Sequence, residues 1–233
     1  GAAALRNGTR QLPAREGEMK ILNRLFAIFL LTMPGIIWYR QTGDIDFYFS
    51  EGVPDGQLLY VLSKLAGLYA LLFIAMQIIA ALLRYLGNPL RLWQGRSHRL
   101  VGIVTICLAV AHLTLFFAAV SIRQDAPALG MFLPSFEDYY HTRLAFGLFA
   151  LWLLLIVMVA GIMRYRGKAA LSRWMHKLYW VAIVLIYLHA LAVGTEAQTN
   201  AGLLFYGLLG LLMASLFIAC LLRRPGAQRG YMQ

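Results

Sequence analysis

Long apolar runs alternate with short polar segments along this chain, and six of the runs stand out: Ile21–Tyr39, Leu58–Leu83, Leu100–Val120, Leu144–Met163, Leu178–Gly194 and Gly202–Leu222. About 20 apolar residues in helical form cross a hydrocarbon core roughly 30 Å thick. Each run meets or nearly meets that length. None alternates with period two, which disfavours a barrel. The first is the weakest, because Asn23 and Arg24 shorten it and Pro34-Gly35 is expected to kink it. The second is long enough to tilt, and Lys64 lies near enough to its start to snorkel. The pattern predicts an all-α fold, an integral membrane six-helix bundle over residues 21–222. Residues 1–20 form an expected cytoplasmic tail, its first eighteen residues either a remnant of expression or an upstream tail, and residues 223–233 a second short tail.

Composition supports a bilayer as solvent. The chain is 61% hydrophobic and 13% charged, against about 45–50% and about 25% in soluble domains. A net charge of +11 could at first indicate nucleic acid, but the basic residues sit between the apolar runs, so no nucleic-acid partner is expected. Seventeen of the 21 Lys and Arg fall before the first run, between the second and third, between the fourth and fifth, and after the sixth. Eight of the ten acids fall on the other side, with Arg40, Lys64, Arg123 and Arg143. By the positive-inside rule both termini face the cytoplasm, and lipid is the expected neighbour. The expected location is multi-pass, in a bacterial inner membrane. Cys107 and Cys220 lie in apolar runs with no C-x-x-C between them, as buried small hydrophobes would. The outer connections Arg40–Gln57 and Ser121–His141 are the longest and could cover an outward-facing site.

Titratable side chains inside a membrane are costly and point to function. Four of the five histidines form two pairs: His98 with His112 on the third span, His176 with His189 on the fifth. The two spans run in the same direction, so like ends are level. Fourteen residues rise about 21 Å and thirteen about 20 Å, a separation suited to two stacked b-type haems. Each iron would take one imidazole from each span, His98 and His176 at the inner level, His112 and His189 at the outer. One feature of this spacing is uneven. Fourteen residues return to within about 40° of the starting face, whereas thirteen miss it by roughly 140°. Either the fifth span is irregular near His176 or its haems approach from different sides.

Haem propionates need cationic partners. Arg96, Arg99, Arg173 and Lys177 are available at the inner level, Arg143 and Arg123 at the outer. Gly102 and Gly147 could admit a flat macrocycle. His141 is open to two roles, a solvated surface histidine or a neighbour of the outer haem edge. Zinc is a poor fit, because no close-spaced ligand set exists.

The His-x13-His and His-x12-His spacings resemble those of the ferric reductase-like transmembrane domain. That superfamily includes ferric reductases, the NADPH oxidase membrane domain and the bacterial haem-binding subunit of the methionine-sulfoxide reductase system. The resemblance spans about Leu58 to Leu222. His98-Arg99-Leu100-Val101-Gly102 through Ala111-His112-Leu113 looks like the third helix of the bacterial subunit, and Thr142-Arg143-Leu144 through Gly147 like its fourth. It implies that His112, His176 and His189 are haem ligands. His98 completes the second pair as in ferric reductases and NADPH oxidases, where the bacterial subunit carries Arg. Family members that oxidise NADPH continue into FAD and nucleotide domains, for which there is no room after the sixth span here. The implied function is electron transfer across the membrane as a component of a haem-b oxidoreductase. The donor would be a separate flavoprotein carrying FAD or FMN, a quinol, or a domain not in this chain. The acceptor would be ferric iron, oxygen or a periplasmic redox protein. The competing readings are a quinol-linked cytochrome b that anchors a periplasmic oxidoreductase, and a non-haem transporter.

Overall fold

The computed structural model describes residues 12–87, 95–166 and 169–223, with side chains on the first helix from Ala27 onward. Seven α-helices follow one another: α1 (Leu12–Thr42), α2 (Gln57–Tyr85), α3 (Arg96–Arg123), α4 (Tyr139–Tyr165), α5 (Ala169–His176), α6 (Tyr179–Val193) and α7 (Asn200–Leu222). Short 3-10 turns at Ile45–Phe49, Leu129–Phe132 and Thr195–Gln198 punctuate the connections, and no strand occurs among the described residues. Arg6, Arg10, Arg91, Lys168, Arg224 and Arg229, with most of both expected tails, lie outside the described residues.

Five helical stretches among the described residues are long and apolar enough to cross a membrane: α2, α3, α4 as far as Met163, α5 and α6 taken together from Ala170, and α7. The first expected span falls on α1. Their outward surfaces are greasy: Val181, Val184, Leu203, Leu204, Leu208 and Leu211 are all at least half exposed. A water-soluble monomer rarely shows contiguous apolar surface of this kind. The chain is a multi-pass membrane protein.

Helix α2 is the spine. Leu68, Leu71, Leu72, Ala75, Ile78, Ile79 and Leu82 bury one continuous face, against Phe205, Tyr206, Leu209 and Met213 of α7 and Ile37 of α1. Polar ties reinforce these contacts where no water competes. The Trp38 indole N–H donates to the Val61 carbonyl at 2.6 Å, and the Tyr69 hydroxyl to the Leu31 carbonyl at 3.0 Å, in the turn before Pro34. Gln77 donates to Thr105 Oγ1 at 3.3 Å, joining α2 to α3. Helix α4 packs mainly on α5 and α6. The molecule thus has two halves, α1–α2–α3–α7 and α4–α5–α6, and the faces of α3 and α6 that look toward each other are thinly packed. On α3 only Thr105 and Ala119 are fully buried. Cys107, expected inside, is exposed on α3; it sits on a lipid-facing side of a helix that has little interior.

Caps explain where several helices begin. Asp138 accepts from the His141 backbone N–H at 2.7 Å and starts α4, and the Thr199 hydroxyl accepts from Gly202 N at 3.0 Å and starts α7. The fifth expected span falls on α6, but the helix expected to carry both His176 and His189 is two helices, α5 and α6. Lys177 N donates to Trp174 O, Leu178 N to Met175 O and Trp180 N to Lys177 O, each near 3.1 Å. These are the tighter bonds of a 3-10 turn, which winds about 120° per residue rather than about 100°.

Candidate functional site

Imidazoles bridge α3 to its neighbours at two levels, to the end of α5 at one and to α6 at the other. At one end the His98 and His176 ring centres are 6.3 Å apart, with planes turned by 75°. At the other the His112 and His189 ring centres are 6.2 Å apart, turned by 72°. The irregularity foreseen near His176 is the turn at Lys177–Leu178. It brings His176 round to the face that carries His189, despite a spacing that an unbroken helix would leave out of phase.

How each ring is held determines its chemistry. His112 Nδ1 lies 2.7 Å from the Ser63 carbonyl, and His189 Nδ1 2.9 Å from the Arg143 carbonyl. A carbonyl oxygen only accepts, so in both rings Nδ1 carries the proton and donates it. Nε2 is left with a bare lone pair, the form in which imidazole binds a metal. Close backbone approach presses both rings into place. A Cβ at Gly67 would meet His112 Nδ1 at 3.1 Å, and one at Gly147 would meet His189 Nδ1 at 2.8 Å. At the other level His176 Nδ1 is buried without a hydrogen bond among the described residues, and its ring lies 5.8 Å from that of Tyr179.

Around His112 and His189 lies a cavity of about 200 Å³ that opens outward, walled by α2, α3, α4 and α6. Its wall is apolar (Leu68, Leu71, Phe116, Leu144, Leu148, Leu154) except for the two imidazoles, Ser63, three tyrosines, and the charged Lys64 and Glu196.

These features can be tested against a haem. An iron bound by two imidazoles at about 2 Å each places the ring centres about 6.2 Å apart, allowing about 1.1 Å from each nitrogen to its ring centre. The observed separations agree with that value at both levels. They match the span of one metal between two nitrogens. The proton on Nδ1, the glycine-backed rings and the apolar wall suit the same group. No cluster of three or more His, Cys, Asp or Glu able to hold a bare metal ion occurs among the described residues.

The cations expected at the propionates are placed differently. Arg143 stacks its guanidinium 4.7 Å from the Tyr139 ring and 5.3 Å from the Phe146 ring, and its Nε is buried without a hydrogen bond. It serves the site through its backbone carbonyl. Lys177 rests 4.7 Å over Trp174. Arg99 is exposed on α3 beside His98. Arg123 bonds the Gln57 side chain and the Asp55 carbonyl and lies 5.2 Å from the Tyr60 ring. Gly102 faces Gln77 and presses on no histidine. His141 is exposed and bonded through Nδ1 to Asp138 at 2.8 Å. Sequence reasoning passed over Gly67 and Glu196, and took Lys64 for a snorkelling residue. A Lys and a Glu inside apolar surroundings, 132 positions apart, were the available signal.

No family model, no curated protein and no solved structure matches the chain.

Proposed function

We propose that this protein carries electrons across a membrane through two b-type haems, one held by His98 and His176, the other by His112 and His189. The observation that carries the reading is the pair of matched ring separations, 6.3 and 6.2 Å, at two levels along α3. Haem supplies reversible one-electron chemistry. The chain's own residues do the rest. Ser63 and Arg143 fix the tautomer of two ligands, and α2 and α4 exclude water from the rings. Each iron would be held by two of the chain's imidazoles, which would favour outer-sphere transfer over bond chemistry at the metal. Fourteen residues of α3 separate the two levels by about 21 Å. On the charge pattern of the sequence, the His98 level faces the cytoplasm of a bacterium and the His112 level the opposite side. The histidine spacing, similar to that of the ferric reductase-like membrane domains, supports this reading. Its donor is a separate flavoprotein or a quinol, and its acceptor ferric iron, oxygen or a periplasmic redox protein.

A second reading, a quinol-linked cytochrome b, draws on one further feature. A separate cavity lined by Phe116, Leu133, Leu144, Gln124, Glu137 and His141 adjoins the first through Phe116, Leu144 and Leu148. Its lining combines apolar side chains with the polar Gln124, Glu137 and His141, as a quinol head group requires.

The test is a dithionite-reduced minus oxidised spectrum with pyridine haemochrome quantification. Two haems b per chain are expected. His112→Ala or His189→Ala should remove one and His98→Ala or His176→Ala the other. Purified protein without a Soret band, or four variants with full haem content, would overturn the proposal. Haem reduction by quinol rather than by a flavin reductase would select the second reading.

A further inference from the structure

Two opposite charges stand in the wall of the His112–His189 cavity and belong to neither ring. Lys64 follows Ser63, whose carbonyl holds His112. Glu196 lies in the 3-10 turn after α6, which brings it beside Lys64. Both are deeply placed, with side chains 16% and 4% exposed. Lys64 Nζ donates to Thr195 Oγ1 at 2.6 Å, stands 3.3 Å from Glu196 Oε1 and lies 4.6 Å from the Tyr60 ring centre. Glu196 Oε2 accepts from the Thr195 hydroxyl at 3.3 Å. The pair is incompletely bonded. Glu196 Oε1 is buried and, although close to the ammonium, is not aligned for a hydrogen bond with it. Of the three protons on Lys64 Nζ, one is used in a hydrogen bond among the described residues.

A buried ion pair gains little for stability unless its bonding capacity is filled; two apolar residues of like volume often do better. A membrane protein that keeps such a pair in the wall of a cavity has left donors for something inside it. The arginine best placed by sequence, Arg143, is occupied between two aromatic rings and absent from the cavity wall.

We propose that Lys64 is the anion-binding group of this cavity. It receives a carboxylate of the occupant held between His112 and His189, and Glu196 keeps its ammonium in position and competes with that carboxylate. The inference rests on the haem reading above, in which the carboxylate is a propionate. Two consequences separate it from a plain structural strap. A positive charge beside the site stabilises the reduced iron, so Lys64→Met lowers the midpoint potential of the His112–His189 haem and Glu196→Gln raises it. Esterified propionates gain nothing from Lys64.

The experiment uses full-length His98→Ala/His176→Ala protein from haem-deficient cells, titrated in detergent with haemin or with haemin dimethyl ester and read by the Soret band. With Lys64 present the free acid should bind at least about tenfold more tightly than the ester, the order of one charge-assisted hydrogen bond. Lys64→Met should erase most of that preference, Lys64→Arg should keep it, and Glu196→Gln should enlarge it. An unchanged preference in Lys64→Met overturns the assignment while leaving the haem reading intact. Should Lys64→Met fail to fold, an unchanged preference and potential in Glu196→Gln overturn it instead. Absence of a Soret band with either porphyrin overturns both.

Discussion

Gly147 gives the most direct test of how the candidate ligands are aimed. A methyl group added there would lie 2.8 Å from His189 Nδ1, 2.9 Å from Cε1 and 3.1 Å from Cγ. Ordinary contact begins near 3.4 Å, so the ring must retreat by about 0.6 Å. Retreat from α4 also stretches the 2.9 Å bond to the Arg143 carbonyl toward loss. That bond is worth about 0.5–1.5 kcal/mol, and replacing glycine by alanine inside a helix returns about 0.5–1 kcal/mol. The two terms nearly cancel, so Gly147→Ala should leave the thermal stability of the protein in detergent almost unchanged. The site is affected differently, because a binding constellation tolerates only about 0.5 Å of displacement. On the proposed function, Gly147→Ala should lose about half or more of the haem at the His112–His189 level. Gly67→Ala would place its methyl 3.1 Å from His112 Nδ1 and should lose less. Gly161→Ala meets nothing within 4 Å and should lose none. Haem per chain and thermal unfolding measured on the three variants test this order. Equal haem content in all three would refute the reasoning.

Other substitutions probe the surroundings. Ser172 is fully buried and donates to the Ala160 carbonyl at 2.8 Å, so Ser172→Ala should cost about 1 kcal/mol and loosen the His98–His176 level before the other; full stability in denaturant titration would contradict this. The backbone and side-chain N–H groups of His141 hold the Asp138 carboxyl below its ordinary value of 3.8. Because the folded value lies below the unfolded one, this stabilisation is complete above the ordinary value and is lost as pH falls through the lowered one. Asp138→Ala should therefore flatten the acid limb of a stability–pH profile, and parallel limbs would refute the link. Thr199→Ala removes the cap of α7 and a 2.8 Å bond to the Glu196 carbonyl, for an expected loss of about 1 kcal/mol seen in thermal unfolding. Gly202→Ala would drive a methyl into the Glu196 carbonyl oxygen; it should sharply reduce the yield of folded protein, and normal yield would contradict the packing described.

Much of the fold was legible because bilayer spans leave coarse, redundant signals. The apolar runs from Leu58 onward fall on α2, α3, α4, α6 and α7, with ends that differ by a few residues where capping groups such as Asp138 extend a helix past its apolar part. The encounter of His98 with His176 and of His112 with His189 was legible too, because equal depth on parallel helices is a matter of counting. What lay out of reach depends on which helix faces which. Gly67 matters because α2 passes behind His112, and Glu196 because the turn after α6 folds back over Lys64; neither neighbour is near in sequence. Arg143 shows the converse. Its depth was read from its position, but its guanidinium is taken up by Tyr139 and Phe146, and its carbonyl is the group that meets a candidate ligand.

The break between α5 and α6 follows from the same counting. With thirteen residues between His176 and His189, a continuous helix would turn one ring about 140° away from the other, and only one could face α3. A kink in mid-membrane could correct this, but it would strand backbone carbonyls where no water reaches them. The chain instead places the correction at Lys177–Leu178, beside Arg173 and Lys177, toward the polar end of the apolar run. There the Trp174, Met175 and Lys177 carbonyls still find donors through the tight turn. Helix α6 then runs unbroken for 15 residues past His189 to Val193, so that the ring held by Arg143 is carried by regular helix. The irregularity is confined to the end of the span that can satisfy it, which is why His176 meets His98 at nearly the same ring separation as His189 meets His112.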